Sequence, residues 1–153
     1  MSHDNQEETR IRQLHAEFEA AVKAKDLDRI MTQYAPDLVA FDAVGALQFQ
    51  GVSEYHAHWQ RCFEFCQGEG FFETHELHIE ASGELAYSRM LNHCGGPNAD
   101  GQMQTAWMRA SRVWRKHDGV WRVVHEHFSM PFDMETGQVC MSPEPAQLQA
   151  HAG

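Results

Sequence analysis

The sequence contains no apolar run close to the about 20 residues that a membrane-spanning helix needs. Its N-terminus, MSHDNQEETR, is polar and acidic, so we expect no signal peptide. Basic residues are also few, because 12 Lys and Arg stand against 22 Asp and Glu, for a formal net charge of -10. This charge opposes binding to nucleic acid or to an anionic membrane surface. We therefore expect a cytoplasmic protein without nucleic-acid or membrane partners.

The sequence also lacks closely spaced cysteine pairs of the kind found in zinc ribbons. Its four cysteines, Cys62, Cys66, Cys94 and Cys140, are predicted to be free thiols in a reducing compartment. There is no glycine-rich phosphate loop and no serine in a nucleophile-elbow motif. These absences predict no cofactor. At 153 residues the chain fits one domain.

Apolar residues recur every three or four positions in three stretches of the first half, which predicts three helices. The first covers residues 4–25. Asp26 is a suitable cap for a second, shorter helix that ends before Pro36. Ser53 is a suitable cap for the third, and glycines end it near residue 68. These helices precede most of the predicted sheet.

The hydrophobic period changes to two in the rest of the chain, which predicts strands. A short hairpin is expected at residues 38–50, two longer arms at 71–95, and a long hairpin at 107–132. The order indicates an α+β fold, with a curved antiparallel sheet and helices on one face. We expect a single domain over residues 1–133 and a loosely ordered tail over 134–153.

The long hairpin is predicted to close through a three-residue loop, His117-Asp118-Gly119, so that Lys116 lies opposite Val120. Counting outward from this pair assigns each residue to one face of the sheet. One face then carries Met108, Ala110, Arg112, Trp114, Val124, Glu126 and Phe128, and the other carries Trp107, Arg109, Ser111, Val113, Trp121, Val123, His125, His127 and Ser129.

Both faces mix apolar bulk with charged groups, so we expect both to be covered. The helices would cover one face, and a second copy of the chain would cover the other, through Trp107, Arg109, His125 and His127. Neighbouring histidines on one side of a strand suit a metal ion, but no third ligand can be assigned from the sequence. We therefore predict a homodimer interface there and no metal.

The segment SRVWRKHDGVWRVVHEHFS resembles the C-terminal hairpin of the association (hub) domain of calcium/calmodulin-dependent protein kinase II and of its SnoaL-like bacterial relatives. Upstream, AFDAVGALQFQG resembles the first hairpin of that family and ELAYSRM its third strand. Residues 10–132 are covered. The resemblance implies the cone-shaped nuclear transport factor 2-like α+β fold, with a curved antiparallel sheet and three helices on its concave face.

The resemblance also implies a ligand pocket. Two of the three arginines of the kinase hub pocket fall on Arg89 and Arg112, and the third falls on Phe128. An arginine fork suits a carboxylate, so a small organic acid is the implied ligand. Glu126 lies on the same predicted face and lowers the positive charge there; alternatively, Arg112 and Glu126 form a structural salt bridge. The remaining predicted ligand-binding residues are aromatic: Tyr55, Trp59 and Tyr87.

An enzyme is the alternative reading of the same fold. The stretch VAFDAVG resembles the segment of ketosteroid isomerase that holds its general base, which falls on Asp42. The oxyanion-hole residues of that enzyme fall on Phe18 and Ser111, which cannot replace them. Our first hypothesis is therefore small-molecule binding. The alternatives are an isomerase, cyclase or dehydratase with Asp42 or His127 as general base, and an assembly module like the kinase hub; Asp42 could also be a plain turn residue.

Overall fold

Three helices form in the first half of the chain, as the spacing of apolar residues predicts. A computed structural model describes residues 3–66 and 68–141, and within these residues the helices are α1 (His3–Lys23), α2 (Leu27–Met31) and α3 (Val52–Phe65). The Asp26 carboxylate caps α2 by accepting a hydrogen bond from the Arg29 amide at 3.2 Å. In this part of the chain no helix is both long and apolar enough to cross a bilayer.

Six strands form one sheet in the described residues. They are β1 (Tyr34–Phe41), β2 (Phe49–Gln50), β3 (Phe71–Ser82), β4 (Leu85–Pro97), β5 (Met103–His117) and β6 (Val120–Ser129). Their order is β2-β1-β6-β5-β4-β3, and all neighbours are antiparallel except β1 and β6, which are parallel. The expectation of a purely antiparallel sheet is thus corrected. Periodicity identifies strands, but pairing with a strand almost 90 residues away depends on the tertiary structure.

The turn of the central hairpin is one residue shorter than the predicted loop. His117 lies opposite Val120, and the turn consists of Asp118 and Gly119 alone, with φ angles of 50° and 78°. Two consecutive positive φ angles are the signature of a type I′ turn, for which Asp-Gly is a favoured pair. The predicted pairing of Lys116 with Val120 is therefore wrong.

A bulge at Val124 compensates for the shorter turn. Trp114 pairs with Val123, but Arg112 pairs with Glu126, so one residue of β6 is left over between them. Beyond the bulge, Arg112, Glu126 and Phe128 share a face, as counting predicted. Between the turn and the bulge the prediction fails, because Trp121 and Val123 lie with Trp114 in the core instead of on the opposite face, and are 4% and 1% exposed.

The core lies between the helices and one face of the sheet. Helix α1 packs on β3, and α3 packs on β1 and β2. Burial of a large apolar side chain contributes about 1.5–3 kcal/mol to folding. The largest buried apolar side chains from helices and sheet are Ile11, Phe18, Ile30, Leu38, Tyr55 and Trp114. This packing fixes α3 against the end of β1, where the candidate site forms.

The segment after β6 folds back on the sheet. The Cys140 amide donates to the Pro131 carbonyl and the Trp107 amide to the Met141 carbonyl, both at 2.7 Å. Within the tail that was predicted to be loosely ordered, the residues up to Met141 are therefore attached to the domain by backbone hydrogen bonds. Residues 142–153 lie outside the described residues, so the prediction is not tested there.

Candidate functional site

An apolar pocket of about 290 Å³ opens between α3, the end of α1 and the strands β3 to β6. Aromatic and aliphatic side chains form most of its wall, among them Val22, Trp59, Phe63, Phe71, Phe72, Met108 and Phe128. Asp42 and His58 lie in the same wall. A mostly apolar cavity with a few convergent polar groups is the usual form of a small-molecule site.

Asp42 and His58 form the ionic pair of this wall. His58 Nε2 lies 3.5 Å from Asp42 Oδ2, and the side chains are 6% and 11% exposed. The other carboxylate oxygen, Oδ1, accepts a hydrogen bond from the Val44 amide at 3.1 Å. The turn interaction that the sequence suggested for Asp42 thus exists, and it leaves Oδ2 directed at its partners.

The local fold explains how these groups meet. Asp42 directly follows β1. Strand β2 pairs with β1, and α3 begins shortly after β2. His58 lies one helical turn after Tyr55, so both point from α3 toward the same strand ends. The His58 ring stacks on Phe49 of β2, with ring centroids 4.2 Å apart. Packing therefore orients the imidazole before any ligand binds.

His58 carries a positive charge near neutral pH. The hydrogen bond that His58 donates to Asp42 and then the contact with Cys62, whose Sγ lies 3.8 Å from His58 Nε2, raise the pKa of His58 to about 9. The imidazole is therefore protonated at pH 7, beside the Asp42 carboxylate. Such a pair supplies a proton acceptor and a positive charge at one point of an apolar wall.

Beneath the pocket, Tyr55 connects Asp42 to a second carboxylate. Tyr55 Oη lies 3.0 Å from Asp42 Oδ2 and 2.7 Å from Glu126 Oε2. Tyr34 also donates to Glu126 Oε2, at 2.7 Å, and Arg112 Nε donates to Glu126 Oε1 at 2.5 Å. Arg112 and Glu126 are 1% and 0% exposed. Their charges are thus matched inside the core, and they do not line the pocket.

The network continues to α1 through a neutral histidine. Arg112 Nη1 donates to His15 Nδ1 at 3.2 Å, and His15 Nε2 lies 2.9 Å from Ser88 Oγ. Because arginine can only donate, His15 Nδ1 must be the unprotonated nitrogen. Burial and then the nearby Arg112 charge lower the pKa of His15 to about 2. This part of the network is structural, since every described member lies inside the core.

The predicted ligand-binding residues do not all meet. Trp59 and Phe128 line the pocket, and Tyr55 lies directly behind Asp42. In contrast, Arg89 is exposed and Tyr87 is 39% exposed, on the sheet face away from the helices. The reason is the register: Ser88 pairs with Arg112, so the next residue, Arg89, points to the other side. The structure therefore does not bring Arg89 and Arg112 together.

His127, the alternative general base, lies near the end of β6, on the face of the sheet away from the helices. It is exposed and contacts Phe41, with ring centroids 5.5 Å apart. A shallower cavity of about 470 Å³ has His127 in its wall together with Asp42 and Met141. The apolar pocket and this cavity thus meet at Asp42, and His127 faces only the second.

Sequence reasoning missed His58 and Cys62. A signal was present, since Tyr55, His58 and Cys62 are three and four residues apart and therefore share one face of α3. Two further thiols, Cys66 and Cys94, also line the pocket, and burial raises the pKa of Cys94 to about 11, with a smaller contribution from the Asp42 charge. Among the described residues no group of three potential ligands is arranged for a metal ion.

The solved structures most useful for comparison share this architecture. A nuclear transport factor 2-like protein of unknown function from Pseudomonas putida KT2440 is 43% identical, with 92% of this chain and 98% of that chain covered and a TM-score of 0.85. A protein assigned to the calcium/calmodulin-dependent protein kinase II association domains, from Xanthomonas campestris, is 16% identical, with 78% and 84% covered and a TM-score of 0.70.

A ketosteroid isomerase-like protein from Erwinia carotovora atroseptica SCRI1043 is 21% identical, with 82% of this chain and 96% of that chain covered and a TM-score of 0.70. At these lower identities the likeness concerns the fold alone. No curated protein matches the chain. The model of the SnoaL-like domain matches residues 11–133. With this match across the helices and all six strands described above, the chain belongs to the SnoaL-like family, and its fold is the nuclear transport factor 2-like fold.

Proposed function

We propose that this chain binds a small, largely apolar organic molecule in its pocket and transfers a proton on it, with Asp42 as the base and His58 as its charged partner. One observation carries the proposal: a carboxylate and an imidazole, 3.5 Å apart, lie in the wall of an otherwise apolar cavity.

The chemistry follows from the charges. The Asp42 carboxylate can accept a proton from a carbon next to a carbonyl group, and general base catalysis of this kind contributes about 10²–10⁴ in rate. Negative charge then develops on the substrate, and the adjacent His58 cation offsets it. A bound ligand displaces water from the apolar pocket and thus strengthens both interactions. Isomerases, cyclases and dehydratases can all begin with this step.

A neutral ligand fits the pocket better than the organic acid that the resemblance implies. The arginine expected to bind a carboxylate, Arg112, is paired with Glu126 in the core. Lys25 lines the pocket, but its Nζ donates to the Cys66 carbonyl at 2.8 Å. The Asp42 charge also repels a second carboxylate. We therefore propose an aromatic or alicyclic ketone as the substrate class.

The experiment combines binding with proton transfer. A panel of apolar ketones and matched carboxylates is screened by thermal shift, and the ketones that stabilise the protein are incubated with it in D₂O. We expect deuterium to appear α to the carbonyl by NMR. Asp42→Asn should lower the exchange rate by about 10²–10⁴ because the base is lost.

Asp37→Asn is the matched control. Asp37 is an exposed aspartate of β1, five positions before Asp42, and its loss should leave exchange unchanged. Exchange that persists in Asp42→Asn, or stabilisation by carboxylates alone, would contradict the proposal.

The homodimer also stands as a proposal. On the outer face of the sheet, Trp107 stacks on His93 with ring centroids 4.4 Å apart and contacts His75 at 5.1 Å. This flat, partly apolar surface suits a second copy of the chain. Light scattering should give twice the 17.5 kDa chain mass, and Trp107→Glu should give a monomer. A larger ring would instead favour the assembly-module hypothesis.

A further inference from the structure

The hydroxyl group of Tyr55 lies between two carboxylates and cannot donate to both. Its oxygen is 2.7 Å from Glu126 Oε2 and 3.0 Å from Asp42 Oδ2, and the residue is 0% exposed. A tyrosine hydroxyl carries one proton and can also accept a hydrogen bond. Two carboxylates that each face this oxygen therefore compete for the same proton.

The proton stays on the tyrosine. Burial and then the charge of Glu126 raise the pKa of Tyr55 well above its ordinary value, so the side chain is a neutral phenol. If the hydroxyl donates to one carboxylate, the other faces only an oxygen lone pair. A carboxylate has no proton to donate there, whereas a carboxylic acid has one.

Glu126 has two hydrogen-bond donors besides Tyr55. Arg112 Nε donates to its Oε1 at 2.5 Å, and Tyr34 donates to its Oε2 at 2.7 Å. Asp42 differs, because it lies in the pocket wall and its Oδ1 is engaged with the Val44 amide. The ionisable groups around the hydroxyl are thus Asp42 after β1, Tyr34 on β1, Glu126 on β6, Arg112 on β5 and His58 on α3.

We propose that the Tyr55 hydroxyl is a proton-coupled rotor. It donates to Asp42 while Asp42 is a carboxylate, and it turns to donate to Glu126 when Asp42 gains a proton, which Asp42 Oδ2 then donates to the Tyr55 oxygen. Tyr55 keeps its own proton throughout. The proton gained by Asp42 comes from the substrate C–H bond or from solvent, and the electron pair of a broken C–H bond stays on the substrate.

The rotor deepens the proposed function and rests on it for the source of the proton. It gives Asp42 a good hydrogen bond in both protonation states with no movement of carbon atoms, so Tyr55 is a positioning residue. Tyr34 has no such choice, since its hydroxyl faces Glu126 alone among the hydrogen bonds of the described residues. It is therefore an internal control.

The test reads the tyrosines directly. The chain has three tyrosines, so ¹³Cζ-tyrosine labelling of the full-length protein gives three resonances, assigned by Tyr→Phe variants. In Asp42→Asn, the Val44 amide keeps the amide oxygen at the Oδ1 position, so the NH₂ group faces Tyr55 as a protonated Asp42 would. We expect the Tyr55 resonance to move most at pH 7, the Tyr34 resonance to move less because its hydroxyl shares Glu126 Oε2 with Tyr55, and the Tyr87 resonance to stay in place.

Acid titration gives a second, independent measurement. The wild-type Tyr55 resonance should move toward its position in Asp42→Asn as the pH falls, and in Asp42→Asn it should not move. Asp37→Asn should behave as wild type. The rotor is overturned if the Tyr55 resonance changes neither with the substitution nor with pH. It is also overturned if the Tyr34 resonance moves as much as that of Tyr55, which would indicate a general rearrangement.

Failure of the rotor and failure of the proposed function are distinguishable, because the NMR experiment needs no ligand. A Tyr55 response without any substrate exchange refutes the proposed function alone. Substrate exchange without a Tyr55 response refutes the rotor alone.

Discussion

Asp42 and Glu126 are separated by a single hydroxyl group, yet their surroundings differ. Glu126 is 0% exposed and accepts hydrogen bonds from Arg112 and Tyr34, with the Tyr55 oxygen also 2.7 Å away, so its charge is matched within the core. Asp42 has the Tyr55 hydroxyl and His58 on one side and the apolar pocket on the other. The two carboxylates therefore differ in their access to a cavity.

The two buried histidines repeat this contrast. His15 touches Arg112, and its pKa falls to about 2; His58 touches Asp42, and its pKa rises to about 9. At pH 7 the core histidine is neutral and the pocket histidine is charged. The predictions that follow test whether the core network is structural and the pocket pair is chemical.

The largest expected effect is on the core. Arg112→Met leaves the Glu126 charge buried without its cation, which should lower the free energy of unfolding by about 3–5 kcal/mol, measured by urea denaturation. Adding Glu126→Gln removes that charge and should recover much of the loss. A change below about 1 kcal/mol in Arg112→Met would contradict a structural role.

The second effect concerns acid stability. The folded-state pKa of His15 lies below its unfolded value of 6.5, so its contribution to stability is present above that pH and is lost as the pH falls. Each pH unit costs about 1.4 kcal/mol, hence about 2 kcal/mol between pH 6.5 and pH 5. Urea denaturation at several pH values should show a shallower slope for His15→Gln. An unchanged slope would mean that His15 takes up a proton in the folded state.

The third effect has the opposite pH direction. The folded-state pKa of His58 is above its unfolded value, so its contribution is fully present below pH 6.5 and is lost as the pH rises through about 9. The open pocket screens the pair, so we expect a loss of about 1–2 kcal/mol. His58→Gln should remove this alkaline loss in the same assay. An equal alkaline loss in the variant would assign it to other groups.

The smallest effects are expected on the outer face. Arg89→Met removes an exposed charge and should change the free energy of unfolding by less than about 0.5 kcal/mol, which makes it the matched control for Arg112→Met. His127→Ala should likewise leave stability and substrate exchange unchanged. Loss of exchange in His127→Ala would move the chemistry to the second cavity.

Much of the fold could be predicted from the sequence. The structure has the predicted order of helices and strands. It also places Arg112, Glu126 and Phe128 on one face, as predicted. The predicted superfamily is confirmed by the family match. The prediction of this shared face is correct because two errors in the predicted register cancel. The turn is one residue shorter than predicted, and the bulge at Val124 adds one residue to β6. Between them, Trp121 and Val123 were assigned to the wrong side.

Less of the candidate site could be predicted. Asp42 was singled out, but His58 was not, because its role depends on how α3 meets the end of β1. Arg89 resembled a pocket arginine by alignment, yet its register beside Ser111 directs it away from Arg112. Alignment with a related strand identifies equivalent residues. A shift of one residue along that strand, however, places the side chain on the opposite face of the sheet.

By itself the sequence determined which segments form helices and strands, because periodicity is a local property. Only the tertiary structure decided that β1 pairs in parallel with β6, that Arg112 meets Glu126 in the core, and that Asp42 meets His58 at a cavity. These contacts join segments 14 to about 90 residues apart, and their energies depend on burial that no local pattern reports.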